Sequence, residues 1–173
     1  MEQALDLAKI LLPAALVLYA MYLVVRAFVQ KELRKTALEV QLKSKETTLP
    51  LRLQAYERLT LLVERLNPNH LLVRAYNPEY NVRQFQQVLL REIREEFNHN
   101  LSQQIYVSEE AWEMVKNVRE EVVMQINGAA NNLPDDAPAL ELSKMVLGEY
   151  GNREHDPLSY ALNQLKAEIQ TTF

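Results

Sequence analysis

From Ile10 to Val29 the chain reads ILLPAALVLYAMYLVVRAFV, twenty residues in which Arg26 is the only charge. At about 1.5 Å per residue, such a helix covers a hydrocarbon core of about 30 Å. Apolar helices of this kind also occur in protein cores and in cleaved signal peptides. A core helix normally carries caps and a polar stripe, and a signal peptide opens on basic residues ahead of an apolar stretch of about 7 to 15 residues. This chain opens on Glu2 and Asp6 with Lys9 as its one early cation. The pattern therefore predicts an uncleaved transmembrane helix. Pro13 removes one hydrogen bond from it, which lipid-embedded helices tolerate better than soluble ones. Tyr19 and Tyr22 lie deeper than an aromatic belt, a position suited to facing a partner helix.

Cations set the expected orientation. Lys9 alone precedes the span, whereas Arg26, Lys31, Arg34, Lys35, Lys43 and Lys45 follow at its far end. By the positive-inside rule, the N-terminus faces out and the chain after the span lies in the cytoplasm, which places the protein in the inner membrane as a single-pass protein. Arg26, Lys31, Arg34 and Lys35 are the expected membrane-interface residues, with the Arg26 guanidinium reaching back to the headgroups while its stem stays apolar.

The remainder divides into a basic juxtamembrane helical stalk over 30–50 and a cytoplasmic domain over 51–173. The domain is long enough for one core and too short for two comfortable ones. Only 3 glycines and 7 prolines interrupt a chain rich in Leu, Glu, Gln, Arg and Ala. The expected fold class is all-α: one N-terminal transmembrane helix, residues 1–29 with its tail, followed by a compact multi-helix bundle. With no cysteine, disulfides, thiolate metal sites and cysteine nucleophiles are excluded.

Charge is unevenly spread. Residues 1–50 carry 7 Lys or Arg against 5 Asp or Glu, and residues 51–173 carry 12 against 18, so a +2 collar precedes a −6 domain. Such a domain is repelled by nucleic acid, which is excluded as a partner, while the collar suits anionic headgroups.

Along the stalk, Leu33, Ala37 and Val40 share one face and Leu38 and Leu42 a neighbouring one. This stripe is narrow, fitting a solvated helix or one paired with another chain, a partner protein or a second copy in a homo-oligomer. Pro50 disfavours helix at Leu49 and predicts a break or kink. Leu51 to Leu66 is a helix burying Ala55, Leu59, Leu62, Val63 and Leu66, with Arg52, Glu57, Arg58 and Arg65 elsewhere. Asn67-Pro68 ends it, and Asn69 to Asn81, without clear periodicity, reads as a packed connection with room for a short helix.

The strongest periodicity spans Val82 to Leu101, where Phe85, Leu89, Ile93, Phe97 and Leu101 recur every four residues. Ser108 caps the next helix, Glu109 and Glu110 meet its dipole, and Val107 with Trp112 has the spacing of a hydrophobic staple. Its buried side is Ala111, Val115, Val118, Val122, Ile126 and Ala129, and the short link to the preceding helix predicts an antiparallel hairpin. After the turn-rich NNLPDDAP, a helix runs from Ala139 and ends near Gly148 and Gly151. Asp156-Pro157 then caps a last helix burying Ala161, Leu162, Leu165 and Ile169.

The middle of the chain, from Leu51 to Asn127, and in particular LRLQAYERL, EFNHNLSQQIYVS and the helix of Trp112, resembles single-pass membrane proteins that recur among Bacteroidota. The resemblance implies a shared family and brings no activity and no catalytic or binding residue with it.

Chemistry-bearing motifs are few. Glu96 and His99 have the Glu-x-x-His spacing of di-iron bundles, but such a site needs a second copy and further carboxylates. His155-Asp156 has the form of a phosphohydrolase doublet, and N-capping accounts for Asp156 more simply. Nucleophile triads, phosphate-cradling loops and Walker motifs are absent. No catalytic residue, metal or cofactor is therefore expected. The polar cluster Asn98, His99, Asn100, Ser102, Gln103 and Gln104 serves as a helix reversal or as a partner-docking surface. The expected function is a membrane-tethered cytoplasmic interaction or scaffold module, an accessory subunit of a membrane complex whose partner is another protein of the membrane or cytoplasm. The alternatives are a membrane-anchored enzyme with a site around Glu96 and His99, and a structural stalk like the b subunit of ATP synthase. The domain is expected to carry the specific function and the span to supply location.

Overall fold

A computed structural model describes the backbone of residues 2–153 and 156–172, with side chains for 15–40, 42–43, 46, 48–153 and 156–171. Predictions resting on Lys9, Pro13, Lys45 and His155 lie outside the described side chains. The order is α1 Glu2–Leu66, α2 Pro68–Ala75, α3 Val82–His99, a 3-10 turn Leu101–Ile105, α4 Glu109–Asn131, α5 Ala139–Gly151 and α6 Pro157–Thr172. The described residues contain no strand, only an isolated antiparallel bridge between Asn81 and Pro138. The chain divides into two compact units, Met1–Leu49 and Pro50–Phe173.

In the first unit, residues 15–40 are exposed on every side. Among the described residues, no helix is long and apolar enough to cross a membrane. The described side chains begin at Ala15, so residues 10–14 of the expected span fall outside them. Arg26, Lys31, Arg34 and Lys35 are all exposed, and Lys35 approaches Glu39 at 3.8 Å, one turn along.

Helical structure continues through Pro50, so of the break or kink expected there a full break does not occur. A proline removes one backbone donor but does not by itself stop a helix whose flanks are good helix formers and whose next turns are held by packing. Ala55, Tyr56, Leu59, Leu62, Val63 and Leu66, all at most 1% exposed, supply that packing in the second unit.

The domain core joins this face to Phe85, Leu89, Ile93 and Phe97 of α3, Trp112, Val115, Val122 and Ile126 of α4, Leu142 and Val146 of α5, and Leu158, Ala161 and Leu165 of α6. Helices α3 and α4 run antiparallel, as the Gln86–Asn127 hydrogen bond at 2.8 Å and the Phe97–Trp112 ring contact at 5.3 Å fix at opposite ends. Ser108 accepts from the Ala111 amide at 3.0 Å and caps α4 as expected.

The stretch read as a connection after Asn67 contains α2. Asn67 accepts from the Asn69 amide at 3.0 Å, Pro68 occupies the first turn, and Leu71 and Leu72 bury the other side. Helix α3 begins with a capping box between Asn81 and Gln84 and stops at His99, so Leu101 leaves the predicted buried stripe and is 43% exposed. Helix α5 runs through Gly148 and ends at Gly151, in line with the end expected near these glycines, and no described glycine takes a positive φ. The loop before α5 is pinned to the start of α3 by Val82 N–H to Ala137 O at 2.8 Å and Ala139 N–H to Tyr80 O at 3.0 Å. Arg83 adds an ion pair with Asp135 at 3.0 Å.

Candidate functional site

Consecutive residues on a helix point about 100° apart, and this alone divides the predicted docking cluster. Asn98 faces α4 and lines a cavity of about 400 Å³ with Phe97 and Arg119. His99 faces α1. Asn100 is buried, and its amide nitrogen donates to the Glu96 carbonyl at 2.9 Å while its backbone N–H reaches Phe97 O at 3.1 Å. Asn100 therefore closes α3. Ser102, Gln103 and Gln104 belong to the 3-10 turn, where the Gln103 amide donates to the Ser102 hydroxyl at 3.3 Å. The cluster is a reversal whose members face different ways.

A cleft of about 620 Å³ lies between the domain part of α1, the start of α2 and the end of α3. Its walls carry Gln54, Glu57, Arg58, Leu61, Glu64 and Arg65 from α1, His70 from α2, and Glu96, His99 and Asn100 from the end of α3. Arg65 donates to Glu96 at 2.7 Å, joining α1 to α3, and the Glu96 side chain is only 16% exposed. At the same end, His70 Nδ1 lies 2.9 Å from the Glu64 carbonyl oxygen and 3.7 Å from its carboxylate. Arg52 Nε donates to the Tyr106 carbonyl at 3.2 Å. Pairing 65 with 96 and 52 with 106 makes this part of α1 antiparallel to the run from α3 into the turn.

The structure thus brings Glu96 and His99 to one cleft, with the Glu96 carboxylate held by a guanidinium instead of standing free as a base. Among the described residues, no group of three or more metal-ligating side chains is placed to hold an ion. The sequence placed Arg58 and Arg65 off the apolar face of their helix and carried no local signal for the cleft, whose walls come from three elements. It also overlooked Tyr56, fully buried with its hydroxyl donating to Glu168 of α6. Helical spacing did carry a signal for Tyr56, since it precedes Leu59 by three residues and Val63 by seven.

Two tyrosines and one aspartate have displaced acidities. Burial, then the hydrogen bond to Glu168, pushes the Tyr56 phenol up. Burial, then the bond to Asp156, pushes Tyr150 up to about 12. For Asp156, burial works to raise the value. Hydrogen bonds from Ser159, Tyr150 and the Leu158 amide outweigh it and hold the carboxyl below its ordinary range. Asp156 accepts from the Leu158 amide at 3.0 Å and so caps α6.

Among the described residues the architecture is all-helical, with a mixed-charge cleft between α1, α2 and α3. The chain belongs to a family of unknown function, DUF7935, whose model matches residues 2–172. No curated protein and no solved structure matches it.

Proposed function

We propose that the chain is a single-pass, membrane-tethered interaction or scaffold module, with its N-terminus outside and its helical domain in the cytoplasm as an accessory subunit of a membrane complex. The observation that carries this reading is the surface of α1 from Ala15 to Val29. Every side chain there is exposed, including Leu16, Val17, Leu18, Met21, Val24 and Phe28, and Arg26 is the only charge. A helix that is apolar all round needs either hydrocarbon or a large protein core around it, and among the described residues of its own unit nothing covers this one. The resemblance to single-pass membrane proteins of Bacteroidota supports the same reading. Confinement to a layer beneath the bilayer raises the effective concentration of the domain toward a partner in that membrane, so weak docking suffices. The anchored-enzyme alternative is weakened by the Arg65–Glu96 pair, which occupies the carboxylate it would use.

The test starts from native membranes. The protein should resist alkaline extraction and, solubilised in mild detergent, should bring a partner with it. Replacing residues 10–29 with an unrelated anchor of the same orientation should preserve capture, and releasing residues 51–173 as a soluble fragment should weaken it. Recovery of the intact chain in the extracted, membrane-free fraction overturns the tether.

A further inference from the structure

We infer that the cleft between α1, α2 and α3 is a binding site for a small monocarboxylate with a short apolar body, its carboxylate held by Arg58 and His99. Among the described residues, neither side chain has a hydrogen-bond or ion-pair partner, although Arg58 is half-buried. A guanidinium presents a fork of N–H donors that fits a carboxylate with two parallel bonds, and leaving it partly desolvated without an anion is costly. The antiparallel register set by Arg65–Glu96 and Arg52–Tyr106 brings His99 to the same end. Measured from the Arg65–Glu96 pair, Arg58 and His99 are displaced in the same direction and differ by about 6 Å along the helix axes. Two side chains at that separation can hold one small ligand between them.

The remaining lining selects the kind of anion. Glu96 is committed to Arg65 and Glu64 lies against His70, yet both carboxylates, with Glu57, keep negative charge on the walls. A second negative charge on the ligand would be repelled, which disfavours phosphate and nucleotides. Leu61, one turn beyond Arg58, is 54% exposed and lines the same cleft, giving an apolar floor for the body of the ligand. A cleft of about 620 Å³ has ample room for such a molecule.

The inference does not depend on the tether. It is tested on the full-length protein in mild detergent, titrated with butyrate and followed by heteronuclear NMR at the Arg58 side chain and the His99 ring. Saturable shifts confined to the cleft are expected, and inorganic phosphate and methyl butyrate should bind more weakly. Arg58→Met should weaken butyrate binding by roughly tenfold or more, and Arg58→Lys should weaken it less. Leu61→Ala should weaken butyrate binding while leaving acetate unchanged. Arg91→Met, an exposed cation of α3 outside the cleft, should have no effect. Thermal unfolding of each variant shows that it is folded. Binding that does not saturate, binding insensitive to both Arg58 substitutions in folded protein, or phosphate binding as tightly as butyrate overturns the proposal.

Discussion

Tyr56, fully buried on α1, donates its phenolic hydrogen bond to Glu168, 112 positions along the chain on α6. This bond ties the last helix to the first helix of the domain core, and its acceptor stays half-exposed. Tyr56→Phe removes the bond and leaves the packing of the ring. Hydrogen bonds to charged acceptors contribute about 1.5 to 3 kcal/mol, and because Glu168 can turn to water the loss should be nearer about 1 to 2 kcal/mol. Denaturant unfolding of the full-length protein measures it. An unchanged midpoint would show that the bond does not hold α6.

Alkali should act on two links of the same kind. Both Tyr56 and Tyr150 are more weakly acidic in the folded protein, Tyr150 at about 12 against the ordinary 10.0. Between those values the unfolded chain has given up the Tyr150 proton and the folded chain retains it. Stability is therefore fully present below pH 10 and falls as pH rises toward 12. Asp156 has the opposite sense, its contribution being lost as pH falls below 3.8. Thermal unfolding followed across alkaline pH should show the wild type losing stability more steeply than Tyr150→Phe. Parallel curves for the two would contradict the assignment.

Trp112 packs on Phe97 at 5.3 Å, and the Arg119 guanidinium sits 4.3 Å from the Phe97 ring centre. Since Trp112 is only 8% exposed, Trp112→Ala opens a cavity at the hairpin between α3 and α4 and should cost about 3 to 5 kcal/mol. Calorimetry or denaturant titration checks this. A loss below about 1 kcal/mol would place the tryptophan outside the core, contrary to the usual cost of such a truncation.

The regular helices were legible in the sequence because burial follows helical spacing. Phe85, Leu89, Ile93 and Phe97 recur at four residues and are all buried, and the Ser108 cap follows from local chemistry. Leu101 fits the same spacing but lies beyond the cap at Asn100, so the stripe ends before the pattern does. Misreadings arose where a local rule competed with packing. Pro50 is a helix breaker in isolation, but the helix continues through it into turns whose inner face, from Ala55 on, is buried in the core. The cleft was illegible for another reason: it depends on which helices meet, and Arg58 and Arg65 look like solvent-facing charges until α3 is set against them.

Pro50 gives a direct test of helix continuity. Proline in a helix interior costs up to about 3 kcal/mol relative to alanine. Because α1 continues through this position, Pro50→Ala should restore one backbone hydrogen bond and slow amide exchange over residues 46–54. If exchange in this segment is as fast in the variant as in the wild type, the segment is not held as helix in solution.

The last prediction concerns topology and follows from cation asymmetry. One lysine precedes the apolar stretch, and Arg26, Lys31, Arg34 and Lys35 crowd the other side. Those four are exposed, free to meet headgroups, and moving such charges outward across a bilayer is opposed by the bias that orients single-span proteins. A reporter active only in the cytoplasm should therefore work when fused after Phe173, and one active only outside should be silent there. Substituting the four cations with glutamine should weaken the preference and yield mixed orientation, which protease protection of intact cells would reveal as partial cleavage of the domain. If the external reporter is active at the C-terminus of the unaltered chain, the proposed orientation is reversed and the domain meets its partners on the other side of the membrane.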